Sequence, residues 1–326
     1  MSTLLLVNKN TDLNKIFHQN FIKEGYKVTN LLGDKIPKYQ RSFLDKLLLA
    51  YHRIIHKNPQ YIHCLEEKHF IKYAEKQIKI NNKKFDYTLV FRGDLIPISV
   101  LEKARKQANC MVGFQLDGVS VSEKILDRKK YFDQIFVFDP EDVASYPQAD
   151  FKFLPNCWFP DDNAEKKDID LYYLGSFEFD RHKTIESLHK AVKHLNLNNK
   201  FLLLQSPHRE KIQHDFIDFF INPITYKENL EITKRAKVLL DFKRPYHNGL
   251  SLRFFEAMAY NNKIVTNNAT VRDYDFYHPD NIYVTDYENF EGLEEFLQKP
   301  YVEIPEEIKL KYRFDNWVNQ IFNLMK

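Results

Sequence analysis

The stretch Asp241-Phe-Lys-Arg-Pro-Tyr-His-Asn-Gly-Leu-Ser-Leu-Arg-Phe-Phe-Glu-Ala-Met-Ala-Tyr260, followed by Lys263-Ile-Val-Thr266, decides how the chain is read. An apolar strand, Val238–Phe242, runs into two cations, Lys243 and Arg244. A turn containing Pro245 and Gly249 follows, and a helix opens near Ser251. The free amides and the dipole at such a helix start attract phosphate, and the two cations beside them add charge. Along the helix, Leu252, Phe255 and Ala259 suit a core stripe, whereas Gly249, Arg253 and Glu256 fall on another. From that second stripe the Glu256 carboxylate can accept two hydroxyl hydrogen bonds, as from a ribose. The plainer reading is a surface Arg253–Glu256 ion pair worth about 0.3–0.5 kcal/mol.

Outward from this stretch, strands and helices alternate. Before it come Leu4–Val7, Lys27–Leu32, Tyr87–Phe91, Cys110–Leu116, Gln134–Phe138 and Phe151–Leu154 as strands, with helices at Asp12–Gly25, Ile98–Ala108 and Glu141–Tyr146. Pro155–Asp168, with two prolines and clustered charges, reads as a linker. A second set follows: strands Leu171–Leu174, Phe201–Leu204, Val238–Phe242, Lys263–Thr266 and Asn281–Val284. Helices are expected at Lys183–Leu195, Asn229–Lys237, Leu252–Tyr260, Phe290–Leu297 and Phe314–Met325. Short apolar strands separated by helices imply parallel sheets with right-handed crossovers.

The expected fold is therefore α/β, with two Rossmann-like doubly wound domains facing a cleft. The domains are placed at residues 1–160 and 161–310, and a closing helix at 311–326 is free to pack back on the first. The length, 326 residues, suits two domains at roughly 100–200 residues each. Ligands of open α/β sheets bind beyond the strand C-termini. In this sequence those positions are polar: Asn8, Arg92, Asp94, Asp117, Asp139, Ser176, Lys243, Arg244 and Asn267.

Hydrophobic residues make up 44% and charged residues 29%, an ordinary globular balance that excludes disordered and fibrous classes. The cysteines, Cys64, Cys110 and Cys157, are far apart and form no CxxC, so neither a disulfide framework nor a zinc site is expected. The opening Met1-Ser-Thr-Leu-Leu-Leu-Val lacks the basic start of a signal peptide, and no run of about 18 apolar residues occurs. A cytoplasmic location is expected.

Net charge is only +3 but uneven: between Lys35 and Lys84 stand 12 Lys and Arg against Asp45, Glu66, Glu67 and Glu75. Within this stretch Ser42 to Lys57 reads as an amphipathic helix with Phe43, Leu47, Tyr51 and Ile54 along one side. Such a helix either rests on anionic lipid headgroups, at the inner face of the cytoplasmic membrane, or is a solvated face over an ordinary core. No recognised nucleic-acid-binding motif accompanies the charge, so nucleic acid is not an expected partner.

The string Gly249–Thr266 (GLSLRFFEAMAYNNKIVT) resembles the donor-site signature of the GT-B glycosyltransferases, and Asn248-Gly-Leu-Ser-Leu-Arg253 resembles the variant in enzymes of bacterial lipopolysaccharide and capsule synthesis. The resemblance implies that Glu256 binds the ribose of a sugar nucleotide. The family's first glutamate falls at Asn248, a departure at a position that usually contacts the donor sugar. Tyr172-Tyr-Leu-Gly-Ser-Phe177 with Arg181-His-Lys183 is similar to the first donor-domain strand, implying that Ser176, Arg181 and Lys183 lie near the diphosphate. Phe132–Asp142 and Phe153-Leu-Pro155 look like the last N-domain elements of the same group.

The implied reaction moves a sugar from a nucleotide-sugar to a hydroxyl of a glycan or lipid-linked glycan, without a metal or other cofactor. Arg181, Lys183, Lys243, Arg244 and Arg253, with Ser251, Gly249 and Asn248 around them, are the residues available to the donor. An inverting enzyme needs a base on the acceptor side. Asp117, between a strand and Gly118, is the first candidate and Asp94 the second; either could instead cap a helix. Asp168-Ile-Asp170 and Asp273-Tyr-Asp275 match the short metal motif DxD, a pattern common by chance. No GxGxxG, GxxxxGK[ST] or GxSxG is present, which removes the usual signals of dinucleotide enzymes, P-loop ATPases and serine hydrolases. The competing expectation is a protein of the same shape without transferase activity, serving as a binding or assembly partner in an envelope complex.

Overall fold

The computed structural model describes residues 1–9, 11–33, 36–58, 60–161, 165–178, 181–205 and 214–323. Asn10 of the first turn, Lys35 at the head of the basic stretch, Asp162–Ala164 of the expected linker and Leu324–Met325 of the closing helix lie outside the described residues.

The chain divides into two units. Unit 1 comprises Met1–Phe136 and Tyr146–Lys152, and unit 2 comprises Val137–Ser145 and Phe153–Lys326. The first run of elements is β1 (Thr3–Val7), α1 (Thr11–Lys23), β2 (Lys27–Asn30), α2 (Phe43–Ile54), α3 (Tyr61–Ile80), β3 (Phe85–Phe91), α4 (Ile98–Gln107), β4 (Ala108–Gln115), α5 (Lys124–Arg128), β5 (Gln134–Val137), α6 (Pro140–Ser145) and β6 (Lys152–Phe153). Their six strands form one sheet in the order β2-β1-β3-β4-β5-β6. Leu4 to Val7 are fully buried, as parallel strands covered on both faces must be. Gly25, at φ +82°, ends the α1 turn in the left-handed conformation that favours glycine.

The second run is β7 (Ile169–Ser176), α7 (Arg181–Val192), β8 (Asn199–Leu204), β9 (Ile217–Phe220), α8 (Tyr226–Arg235), β10 (Ala236–Asp241), α9 (Leu252–Ala259), β11 (Lys263–Thr266), β12 (Ile282–Val284), α10 (Leu293–Gln298), α11 (Glu306–Lys311) and α12 (Phe314–Asn323). Its sheet has the order β12-β11-β10-β7-β8-β9, every neighbour parallel. Side chains alternate between faces with period two. Tyr172 and Leu239 join a core with Phe254, Phe255 and Ile264. Tyr173 and Leu240 join another with Ile185, Leu188 and Phe201. A sheet buried on both faces is the doubly wound architecture expected from the sequence. The chain leaves β7 toward β8 and returns at β10 on the other side, so the ends of β7 and β10 are the reversal point where such sheets bind ligands. In unit 1 the same reversal lies between β1 and β3.

Several details differ from the sequence reading. The described part of the expected linker is packed: Asn156, Cys157 and Phe159 are buried, and Asn156 Nδ2 donates to the Leu250 carbonyl at 2.9 Å. The closing helix α12 lies in unit 2, where Trp317 Nε1 donates to the Pro155 carbonyl at 3.1 Å. No residue of α2 is buried, so its apolar side covers no core. No helix among the described residues is long and apolar enough to cross a membrane.

Candidate functional site

At the β7–β10 reversal, one carboxylate organises the loop that the sequence singles out. Asp241 closes β10 and is buried. Its Oδ1 accepts from Ser251 Oγ at 2.9 Å and from Arg253 Nη1 at 3.3 Å, and its Oδ2 accepts from Thr266 Oγ1 at 3.0 Å. Ser251 is the N-cap residue of α9, yet its hydroxyl makes no capping bond to the helix. The Ser251 hydroxyl thus does not cap the first-turn amides of α9, because Asp241 takes it up.

Arg253 bridges the two strands. Its Nη2 donates to the Leu174 carbonyl in β7 at 2.9 Å, and its guanidinium lies 5.3 Å from the centre of the Tyr173 ring. Burial works against the Arg253 charge, but Asp241, then Tyr173 and Glu256, offset it and hold the group above its ordinary range. The ion pair of Arg253 is with Asp241, not the surface pair with Glu256 considered from sequence.

Tyr173 marks the convergence of charge. Burial raises its hydroxyl, Arg181 and Arg253 pull it down, Asp241 raises it and Arg244 lowers it, so three guanidinium groups act on this one side chain. A side chain at Gly175 would overlap the Tyr173 hydroxyl, which explains a glycine in the last turn of this strand. Arg181 opens α7, is buried, and donates from Nη1 to the Ser176 carbonyl at 3.1 Å. Arg244 Nη1 donates to Tyr246 Oη at 2.9 Å. Lys183 is exposed on α7.

Glu256 is buried, only 4% exposed. Its Oε1 accepts from the Tyr226 hydroxyl at 2.6 Å. Burial raises its carboxyl above the ordinary range, against the pull of Tyr226 and Arg253. A two-hydroxyl grip by this carboxylate therefore shares or displaces the Tyr226 bond. The helix around it is enclosed, with Phe254, Phe255, Glu256, Ala257 and Met258 all buried, rather than divided into one core stripe and one open stripe.

The loop before α9 is held from a distant part of the sequence. The Asn248 amide donates to Asp139 Oδ2 at 2.6 Å, and Asp139 Oδ1 accepts from the Glu141 amide at 3.0 Å. The Asn248 side chain spans two charges, donating from Nδ2 to Glu141 and accepting from the Lys243 ammonium. Asn268 Nδ2 donates to the Asn248 carbonyl at 3.1 Å. A Cβ on Gly249 would lie 2.6 Å from the Phe138 ring and 2.7 Å from its carbonyl oxygen, so only glycine fits. Asp139 appears in the sequence reading only as a polar strand end. Asp241, Glu141, Asn268 and Tyr226 were given no role there. A local signal existed for one of them: Thr225-Tyr-Lys-Glu228 forms a capping box and starts α8 one turn before the expected Asn229.

In unit 1 both acceptor-side candidates meet on one guanidinium. Arg92, in the left-handed region at φ 51°, donates from Nε and Nη2 to the two oxygens of Asp94, each at 2.8 Å, and from Nη1 to Asp117. Asp94 also accepts from Gln115 Nε2 at 2.9 Å. Burial raises the Asp94 carboxyl, but the bonds from Arg92 and Gln115 outweigh it and leave the group below its ordinary range. Asp117 is more open, with 21% of its side chain exposed against 5% for Asp94.

The DxD strings are engaged elsewhere. Asp168 pairs with Arg235 and Asp170 with Lys237, while Asp275 accepts from Lys311 and from the Tyr312 hydroxyl. Among the described residues no three His, Cys, Asp or Glu side chains are grouped as metal ligands.

The sequence matches no protein-family model and no curated protein. Solved structures match over nearly the whole chain. A UDP-forming α,α-trehalose-phosphate synthase from Burkholderia xenovorans, in complex with glucose-6-phosphate, is similar at 12% identity with a TM-score of 0.63, covering 100% of both chains. An α-glucosyltransferase in complex with UDP and a 13-mer DNA is similar at 12% identity and a TM-score of 0.55, covering 98% of this chain and 95% of the other. A sucrose-phosphate synthase from Thermosynechococcus elongatus gives 12% identity and a TM-score of 0.54, covering 100% and 98%. The fold is thus the GT-B one, with its two parallel six-stranded sheets.

Proposed function

We propose that the chain is a glycosyltransferase that takes a sugar from a nucleotide-sugar and passes it to a hydroxyl of a cell-envelope glycan or lipid-linked glycan, as in lipopolysaccharide, O-antigen or capsule synthesis. The observation that carries this reading is the placement of Arg253 on Asp241 and on the Leu174 carbonyl, with Arg181 on the Ser176 carbonyl and Arg244 in the loop that follows β10, at the β7–β10 reversal beside an α9 start whose N-cap hydroxyl is turned to Asp241. Fixed cations and free amides stabilise the charge that builds on a departing nucleoside diphosphate. This chemistry needs no metal. Glu256 receives ribose hydroxyls, and Ser176, Lys183, Lys243 and Asn248 complete the donor side. The neighbours named for UDP support a nucleotide-sugar, and one is named with a sugar phosphate.

On the acceptor side, Asp117 takes the proton from the attacking hydroxyl, since its carboxylate is the more open of the two bound to Arg92. Asp94 acts through Arg92, fixing the guanidinium that orients Asp117. Nucleic acid is not part of this reading, although one neighbour was solved with DNA. The enzyme works in the cytoplasm, at the inner face of the membrane.

A thermal-shift screen tests the donor site. A nucleoside diphosphate that binds only the folded chain raises apparent stability by about 2.7 kcal/mol at a hundredfold excess over its dissociation constant. Glu256→Gln keeps the Tyr226 bond and removes a buried charge, so it should melt no earlier than the parent and lose most of the ligand shift. Absence of a shift with every nucleoside diphosphate and its sugars rejects the reading.

A further inference from the structure

We infer that α2 is a lipid-docking helix whose exposed apolar face enters the headgroup region of an anionic bilayer while cations along its rim pair with lipid phosphates. This gives the proposed membrane location a physical element, and it rests on that location alone, not on the donor site.

The face is open. Phe43, Leu44 and Ile54 are 73%, 69% and 71% exposed, and Leu47, Tyr51 and Ile55 are more than half exposed. The side turned to the protein is a different one: Asp45, Leu49 and His52 are only partly exposed, and His52 stacks on Tyr61 of α3 at 3.5 Å. At about 100° per residue, the exposed apolar positions fill one continuous arc and Asp45, Leu49 and His52 the next. Single exposed apolar residues need no explanation, but a contiguous set on one helix marks a contact surface.

The charge selects the occupant. Lys46 and Arg53 share the helix face that borders the apolar arc on its other side, and Lys57 follows just beyond the helix end. From Ile36 to Asn58 the described chain holds five cations, Lys38, Arg41, Lys46, Arg53 and Lys57, against Asp45 alone. That acid is occupied at the helix start, where it accepts from the Ser42 amide at 2.9 Å and the Ser42 hydroxyl at 2.7 Å. The bonds from Ser42 hold it below the ordinary carboxylate range. A basic rim beside a bulky apolar face suits an anionic membrane, whereas a second copy of this chain would set like charges against each other.

Co-sedimentation of the full chain with phosphatidylcholine vesicles, with and without phosphatidylglycerol, tests the inference. Binding should require the anionic lipid and weaken as salt screens the rim. Lys46→Glu with Arg53→Glu should lower partitioning at least about 25-fold, at about fivefold per cation lost. Leu47→Ser with Ile54→Ser should abolish it. These side chains are exposed, so both variants should keep the parent melting temperature and any nucleoside-diphosphate shift. Equal partitioning to neutral vesicles, none to either, or undiminished binding by the variants overturns the inference. So does a dimer in solution that Leu47→Ser with Ile54→Ser converts to a monomer, since the face would then be a subunit interface.

Discussion

Arg253 and Asp241 form a partly buried ion pair, 3.3 Å apart, that ties the start of α9 to the end of β10. Because the second Nη of Arg253 holds the β7 carbonyl of Leu174, the pair also fixes the two strand ends on which the candidate site is built. Asp241→Asn leaves Arg253 without its counter-charge. Breaking such a pair by removing one partner costs about 3–5 kcal/mol, well above an exposed pair. With 24% of the Arg253 side chain still exposed, we expect a loss near the lower end. Urea unfolding measures it; a change under about 1 kcal/mol would mean water already screens the pair.

Gly249→Ala sets a methyl group against Phe138. Overpacking of this kind costs about 1–3 kcal/mol. Phe138→Leu in the same chain should recover part of the loss but not all, because the Phe138 carbonyl oxygen is nearly as close as the ring. Melting temperatures of the single and double variants decide it, and simple additivity would deny the contact.

The two acids on Arg92 should separate cleanly. Asp117→Asn is expected to lower turnover by about 10²–10⁴-fold, the usual worth of a general base, with donor affinity and stability unchanged. Asp94→Asn should instead destabilise unit 1, since Asp94 is buried and holds both Arg92 and Gln115. Full activity in Asp117→Asn removes that residue from the mechanism.

Lys263 gives a pH signature. It is buried with its ammonium on the carbonyls of Phe296 and Lys299, and burial lowers its pKa from 10.5 to about 8. Below about pH 8 the folded and unfolded chains both hold this proton. Between there and the ordinary lysine range only the unfolded chain holds it, so stability should rise with pH across that window, by at most about 1.4 kcal/mol per pH unit. Lys263→Met should flatten the rise in unfolding experiments at stepped pH.

What the sequence shows well is what local pattern encodes. Strands such as β1 and β11 are short apolar runs ending in polar residues, and the helix α9 opens after Ser251 where the turn with Pro245 and Gly249 predicts it. β9 was missed because Asp218 interrupts its short apolar segment, Phe216-Ile-Asp-Phe-Phe-Ile221. α3 was lost in the basic stretch: Phe70, Ala74 and Ile78 make a thin core stripe among many lysines. The partners of the site were hidden for a different reason. The Asp139 bond to Asn248 joins positions 109 apart, and the Tyr226 bond to Glu256 positions 30 apart, and neither leaves a trace in nearby residues.

The strip Val137–Ser145 precedes the expected linker in sequence yet belongs to unit 2, where Phe138 lies on Gly249 and Asp139 holds the Asn248 amide. Dissecting the protein at residue 160 would therefore yield a C-terminal fragment with its whole sheet but with a hole beside the loop that leads into α9. Such a fragment could fold and still mishandle its ligand, so a failure to bind would say nothing about the intact chain.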